Sequence, residues 1–316
     1  MSIEEDPAPG ARNRDGQRTE ASAPGAGTES KDPSLVMEVV QQLLAEGMDL
    51  FGRLASEDGA VDDFGFDPDL VDGALLPLLR PLYEKYFRVE AEGLEHVPDD
   101  GGALVVANHS GTLPVDALML QVALREKHPA RRAVRMLAAD LAFDFPVLRD
   151  LTRKLGHVRA CPENALRLLS DGELVGVMPE GYKGLGKPYE ERYRLQRFGR
   201  GGFAAVALRT GRPIVPCSIV GAEEIYPMIG ESRTLARLLN LPYFPITPTF
   251  PLLGVLGLVP LPTKWTLRFE PPVHTDMFPP EAADDPLVVE KLAGEVKDTI
   301  QHRLSETVRH RGSVFR

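Results

Sequence analysis

The chain has 316 residues, 43% of them hydrophobic, with 36 Lys and Arg against 46 Asp and Glu for a formal net charge of −10. That length can bury a sizeable core in one large domain or two small ones, and the acidic balance argues against a general nucleic-acid binder. Two cysteines, Cys161 and Cys217, make neither a disulfide framework nor a zinc site. The seven histidines show no pair at ligand spacing on one helix face, so no metal is expected.

The net charge hides an asymmetry. Residues 1–100 carry 23 acids and 8 bases, a net of −15, whereas residues 101–316 carry 23 acids and 28 bases, a net of +5. An anionic partner should therefore meet the second part of the chain. Residues 1–33 are rich in Gly, Pro, Ala, Ser, Glu and Arg and read as a disordered acidic tail, with too little apolar surface to offset ordering. They hold no apolar h-region, so a secretory signal is not expected and a reduced cytoplasmic location is.

Residues 34–87 read as a helical leader. Leu35, Val36, Val39, Val40, Leu43, Leu44 and Leu54 recur at helical spacing behind Ser34. An acidic linker follows, with Glu57, Asp58, Asp62, Asp63 and Asp67. A second helix is predicted over Pro68–Phe87, kinked or broken by Pro77 and Pro81. From residue 88 to 316 the texture becomes strand, turn, helix, repeated. Strands are predicted at Phe87–Ala91, Ala103–Ala107, Val134–Ala138, Leu174–Met178, Ile214–Val220 and Trp265–Phe269. Helices are predicted at Pro114–Lys127, Pro162–Leu169, Gly202–Thr210 and Leu287–Arg309, the third closed by Gly211. Short buried strands alternating with helices indicate a three-layer α/β domain around a central, mostly buried sheet.

From Leu238 to Thr263 there are 26 consecutive uncharged residues. Six prolines among them exclude an ordinary membrane-spanning helix. Two readings stay open: a Pro-rich loop folded over the core, or a segment that touches a bilayer or lines a groove for a fatty chain.

Chemistry-bearing residues gather at predicted strand ends. Asn108-His109-Ser110 follows the strand Ala103–Ala107, at the edge where α/β sheets place their ligands. Asp116 falls in the first turn of the next helix, where it can reach the imidazole. A carboxylate that fixes the tautomer of a histidine and stabilises its imidazolium is the arrangement of a general base. The alternative is a loop histidine beside an acid that caps its own helix. A second strand end carries Pro179-Glu180-Gly181-Tyr182-Lys183, where the glycine permits close backbone approach and the lysine offers a point charge. Gly181, Gly186 and Lys187 nearly spell a phosphate-binding P-loop, but Pro188 stands where its Ser or Thr belongs. Between Tyr182 and Arg212 lie eight basic residues and two acidic ones, leading to Gly199-Arg200-Gly201-Gly202 before a helix, a setting that favours an anion. No G-x-S-x-G elbow exists, and Cys217, mid-strand, reads as a core thiol.

Asn108-His109 with Asp116, then Pro179-Glu180-Gly181, then Ile214-Val215-Pro216 with Gly221 resemble the motif series of the glycerolipid acyltransferase superfamily, over roughly Gly93–Pro272. The resemblance implies a glycerol-phosphate acyltransferase-like domain over 88–316 and an O-acyltransferase without a covalent acyl-enzyme. It casts His109 as the base and Asp116 as its partner. Asn108, Glu180, Gly181, Lys183, Arg159 and Arg200 are the expected substrate-binding residues. It implies acyl-CoA or acyl-carrier protein as co-substrate with no resident cofactor, a membrane lipid as acceptor, and peripheral association with the anionic inner face of a membrane. Two features depart from the family pattern. Six residues, not four, separate the His from the Asp, with Pro114 at the usual position, a longer spacing similar to the mono- and diacylglycerol acyltransferase-like branch. Lys183 stands where Arg is common and lacks the bidentate fork. A lipid-binding protein on the same fold without turnover, and a thioester hydrolase, are the competing expectations. Under the resemblance, Leu238–Thr263 and the helix Leu35–Leu54 become candidates for the surface that meets lipid.

Overall fold

The computed structural model describes residues 60–315, apart from 111, 112, 145 and 242, together with six residues between 41 and 52. The tail expected over 1–33, most of the helix expected over Leu35–Leu54, and Glu57 and Asp58 of the acidic linker lie outside the described residues.

The first described helix, α1, runs from Pro68 to Tyr86 and opens where the Asp67 carboxylate accepts the Leu70 N–H at 2.9 Å. Of the kink or break expected at Pro77 and Pro81, the break does not occur. The helix alternates α and π segments, Pro68–Leu70, Val71–Leu75, Leu76–Pro81 and Leu82–Tyr86. In the π turns the Leu76 N–H donates to the Val71 carbonyl and the Phe87 N–H to the Leu82 carbonyl. Wider turns let carbonyls find partners around the N–H groups that the prolines lack.

Seven strands form the central sheet: β1 (Glu90–Glu92), β2 (Ala103–Ala107), β3 (Val134–Ala138), β4 (Val158–Arg159), β5 (Leu174–Val177), β6 (Ile214–Val220) and, after a small hairpin of β7 (Gly230–Glu231) and β8 (Pro245–Ile246), β9 (Thr266–Phe269). Their order is β1-β9-β6-β2-β5-β3-β4. Neighbours run parallel except β6 and β9. The strand expected at Phe87–Ala91 is displaced to Glu90–Glu92, because Arg88 turns the chain with φ of 46° and Phe87 is buried against Trp265, ring centroids 4.7 Å apart.

Alternation along β2 explains the three layers. Ala103, Val105 and Ala107 face one apolar cluster with α1 and with α2 (Val115–Val122), which continues as a π turn over Ala123–Lys127. Leu104 and Val106 face the other, built on helices over Pro162–Ser170, Gly202–Thr210 and Pro286–His310. Strands buried on both sides must be apolar throughout, and β2 and β6 are buried at every position. The helices Leu141–Asp144 and Arg233–Leu238, strand β4 and the hairpin are too short to leave a periodic trace; these and the helix Pro146–Lys154 were not expected.

The acidic linker is structural. Arg135 on β3 is 1% exposed, stacks on Phe66 at 4.8 Å and donates to Asp62 at 2.6 Å. Removing one partner of such a pair leaves an uncompensated buried charge. Because Asp62 is itself partly exposed, Asp62→Ala should cost a moderated ~2 kcal/mol, seen as a lower urea midpoint at unchanged m-value.

Candidate active site

Three parallel strands, β6, β2 and β5, deliver their C-terminal ends side by side. Asn108, the first residue past β2, is 0% exposed. Its amide donates to the Ile219 carbonyl at 3.0 Å and accepts the Ile219 N–H at 2.7 Å. Both ends of its amide clamp β2 to β6.

His109 follows, and its Nδ1 lies 2.8 Å from Asp116 Oδ2. The six-residue spacing is therefore accommodated: Pro114 takes the N-cap position of α2, and Asp116 in the first turn folds back to the strand end. The Asp116 carboxylate is 0% exposed and also accepts the N–H and hydroxyl of Ser110, at 2.8 and 3.3 Å, and its neighbour Ala117 N–H at 2.9 Å. A carboxylate without a proton only accepts, so this pairing favours the tautomer with the proton on Nδ1 and leaves the lone pair of Nε2 free in a neutral imidazole. The imidazole stays 13% exposed, within reach of a substrate. Ser110 is buried with its hydroxyl on Asp116, and burial pushes the thiol of Cys217 far up, so neither is poised as a nucleophile.

Glu180, just past β5, supports the His109 backbone. Its side chain is fully buried; Oε1 accepts the His109 N–H at 3.0 Å and Oε2 accepts the Gln196 N–H at 2.6 Å. Both carboxylate oxygens of Glu180 are therefore engaged by protein partners. Lys187 sits 3.4 Å from Glu180 and 3.2 Å from both oxygens of Glu223, which in turn accepts the Tyr193 N–H at 2.9 Å. Lys187 is buried between carboxylates, and the P-loop reading of Gly181, Gly186 and Lys187 falls with it. Burial pushes the Glu223 carboxyl up to about 7, while Lys187 pulls the other way.

Gly181 turns the chain with φ of 53° and has open space beside it. Gly184 is required by proximity, since a Cβ there would stand 2.8 Å from the His109 carbonyl oxygen. Lys183 and Arg200 are exposed, and their side chains make no hydrogen bond or ion pair among the described residues. Arg159 stands on β4 beside Asp140 at 3.2 Å, in a separate cleft of about 470 Å³ shared with Phe143, Arg149, Arg153 and His157. The structure therefore unites His109, Asp116, Glu180 and Gly181, and leaves Arg159, Lys183 and Arg200 outside that network. Among the described residues no group of three His, Cys, Asp or Glu side chains could hold a metal ion.

Sequence reasoning missed Lys187 and Glu223 as supports. It also missed Tyr243, which packs 3.5 Å from the Cβ position of Gly186 and lies within electrostatic range of Asp116. Tyr243 comes from the Pro-rich stretch, and no local pattern announces that it returns to the strand ends.

Lys187→Met would leave two buried carboxylates around no cation. It should cost about 3–5 kcal/mol of stability, measured by urea unfolding. A second expectation concerns His157, whose Nε2 lies 3.2 Å from Gln121 Oε1 and whose imidazole burial pulls down from 6.5 to about 4. Between those values the unfolded chain binds the proton and the folded chain does not. Stability should therefore fall as pH drops through that window, by up to ~3 kcal/mol, and His157→Gln should flatten that part of the profile.

A family model described as Acyltransferase matches residues 88–220, from the approach to β1 through β6, and so takes in His109, Asp116 and Glu180. An uncharacterized protein of Mycobacterium tuberculosis is 51% identical over 304 residues, covering 96% of this chain and 84% of that one. A human protein named DGAT1/2-independent enzyme synthesizing storage lipids is 23% identical over 228 residues, covering 72% of this chain and 64% of that one. The crystal structure of the 1-acyl-sn-glycerophosphate acyltransferase of Thermotoga maritima superposes with a TM-score of 0.52 over 88% of this chain and 95% of that one. At 19% identity that likeness bears on the fold, a mostly parallel seven-stranded α/β arrangement. With the family match resting on the strands that carry the His–Asp pair, the chain belongs to the acyltransferase family.

Proposed function

We propose that the protein moves a fatty acyl group from a thioester, acyl-CoA or acyl-carrier protein, to a hydroxyl of a glycerolipid-type acceptor at a membrane surface. The observation that carries this reading is the 2.8 Å contact between His109 Nδ1 and a buried Asp116 at the end of the central strand. Nε2 takes the acceptor's proton as its oxygen attacks the thioester carbonyl. The tetrahedral intermediate collapses by breaking the C–S bond, and the departing thiolate takes the proton back from the imidazolium, regenerating the base. Asp116 stabilises the imidazolium between those steps. The buried state of Ser110 and Cys217 supports direct transfer over a covalent acyl-enzyme.

Lys183 and Arg200, exposed and unpaired among the described residues, suit the phosphates of coenzyme A or of a lipid headgroup. The likeness to an enzyme named for storage-lipid synthesis makes a neutral glyceride the first acceptor to try. No described helix is long and apolar enough to cross a membrane, which is compatible with peripheral attachment.

The test is ester formation by the purified full-length protein, with acyl-CoA and a panel of mono- and diacylglycerol, glycerol phosphate and lysophosphatidate. His109→Ala should lower the rate on the preferred acceptor by about 10²–10⁴-fold, the usual worth of a general base, and Asp116→Asn should impair it as well. A wild-type rate from His109→Ala overturns the mechanism. Free fatty acid without ester identifies a thioester hydrolase, and neither product identifies a protein without turnover.

A further inference from the structure

The segment between β6 and β9 builds an arm. Hairpin β7–β8 and the helix Arg233–Leu238 form its first part. A turn stabilised by Thr249, whose hydroxyl donates to the Gly257 carbonyl at 3.2 Å, forms its second. Along this arm the apolar side chains point outward. Leu238 is 77% exposed, Leu252 83% and Leu256 74%, and Leu239, Leu253 and Val259 are each more than half exposed. Isolated exposed leucines are ordinary, but five leucines and a valine in a stretch of 26 uncharged residues are a surface that wants covering.

The arm cannot fold these leucines inward, because its base is pinned. The Tyr86 hydroxyl donates to the Pro260 carbonyl and the Tyr226 hydroxyl to the Leu258 carbonyl, both at 2.6 Å. The Thr263 hydroxyl donates to the Gly221 carbonyl at 2.9 Å, at the end of β6. Tyr243 from the same arm lies against Gly186, within electrostatic range of Asp116. The exposed apolar surface is thus rooted beside the His109–Asp116 pair.

Charge and chemistry select the occupant. Between Glu231 and Glu270 there is no acidic residue, while Arg233, Arg237, Lys264 and Arg268 are basic. Lys264 and Arg268 are engaged by Glu90 and Glu92 at the β1 edge. Arg233, 3.1 Å from Glu231, and Arg237, whose side chain has no partner among the described residues, stay exposed on the helix that carries Leu238. A protein interface of useful size supplies about one hydrogen bond per 100–200 Å², and the exposed tip offers almost no side chain for one. A lipid surface requires none: acyl chains accept leucines, and anionic headgroups accept arginines. We propose that the arm over 233–259 is the membrane-docking surface of this protein, inserting its leucines at the headgroup boundary while Arg233 and Arg237 contact anionic lipid, and so presents the active-site mouth to the bilayer. This rests on the acyl-transfer reading for its purpose but not for its test.

The experiment is co-sedimentation of the full-length chain, without substrates, on phosphatidylcholine vesicles and on mixed phosphatidylcholine–phosphatidylglycerol vesicles. The variants are Leu252→Ser/Leu253→Ser/Leu256→Ser and Arg233→Gln/Arg237→Gln, all at exposed sites and outside the catalytic network. Each buried leucine is worth roughly a tenfold or larger factor in partitioning. The serine variant should therefore lose vesicle binding by at least about a hundredfold. The glutamine variant should lose only the extra affinity for the anionic vesicles, as should the wild type at high salt. The proposal is overturned if the serine variant sediments like the wild type. It is equally overturned if the wild type ignores vesicles but forms a dimer that the serine variant dissolves, which would make the arm a contact between two copies. Acyl transfer to a monomeric, water-soluble acceptor separates the two readings. Retained turnover by the serine variant there, with vesicle binding lost, supports docking. Vesicle binding by a wild type that transfers no acyl group leaves docking standing and removes the acyl-transfer reading alone.

Discussion

One buried carboxylate organises the C-terminal ends of the central strands. Glu180 has no water to solvate it and must find every partner within the protein. It finds the N–H of His109 from the β2 end, the N–H of Gln196 from the loop after the helix Tyr182–Leu185, and the ammonium of Lys187. Lys187 reaches on to Glu223 beyond β6. Three strand ends are thus held by one charge cluster in a low-dielectric setting, where leaving any member unpaired costs far more than the net worth of the pairs. The precision with which His109 meets Asp116 depends on that cluster, because a backbone free to drift by an ångström would separate imidazole from carboxylate.

The cluster also accounts for the small residues around it. Gly184 lets the loop press on the His109 carbonyl, and the turn at Gly181 aims the chain from Glu180 toward Tyr182. Asn108 does on the β6 side what Glu180 does on the β5 side, exchanging two hydrogen bonds with the backbone of Ile219. His109 is clamped from both flanks, and only its ring faces outward. Residues that resemble substrate contacts by motif can thus be the frame that positions the reacting group.

The apolar arm follows a different economy. Beyond the helix Arg233–Leu238 its prolines forbid a long regular helix, so its backbone is satisfied by local turns and by tyrosine and threonine hydroxyls at its root, while its leucines are left facing out. Covering those leucines with bilayer would couple membrane contact to access at His109, since Tyr243 links the arm to the neighbourhood of Asp116.

The alternation of short apolar strands with helices was legible in the sequence because burial on both faces forces continuous apolar runs; β2, β3, β6 and the helix Gly202–Thr210 appear with the bounds expected of them. So were the positions of His109 and Asp116, because a polar turn after a buried strand is where ligands bind in such sheets. The sheet order, the unbroken course of α1 through two prolines, and the pairing of Arg135 with Asp62 were not, since each depends on partners distant in sequence. The same holds for Lys187. Locally it completes a phosphate loop, and only the fold, by burying Glu180 and Glu223 on either side of it, turned that cation from a ligand into a support. Sequence determined which side chains carry chemistry; tertiary structure decided which of them are dry and paired and which remain open to a substrate, because desolvation is a property of the packed molecule and of no single segment.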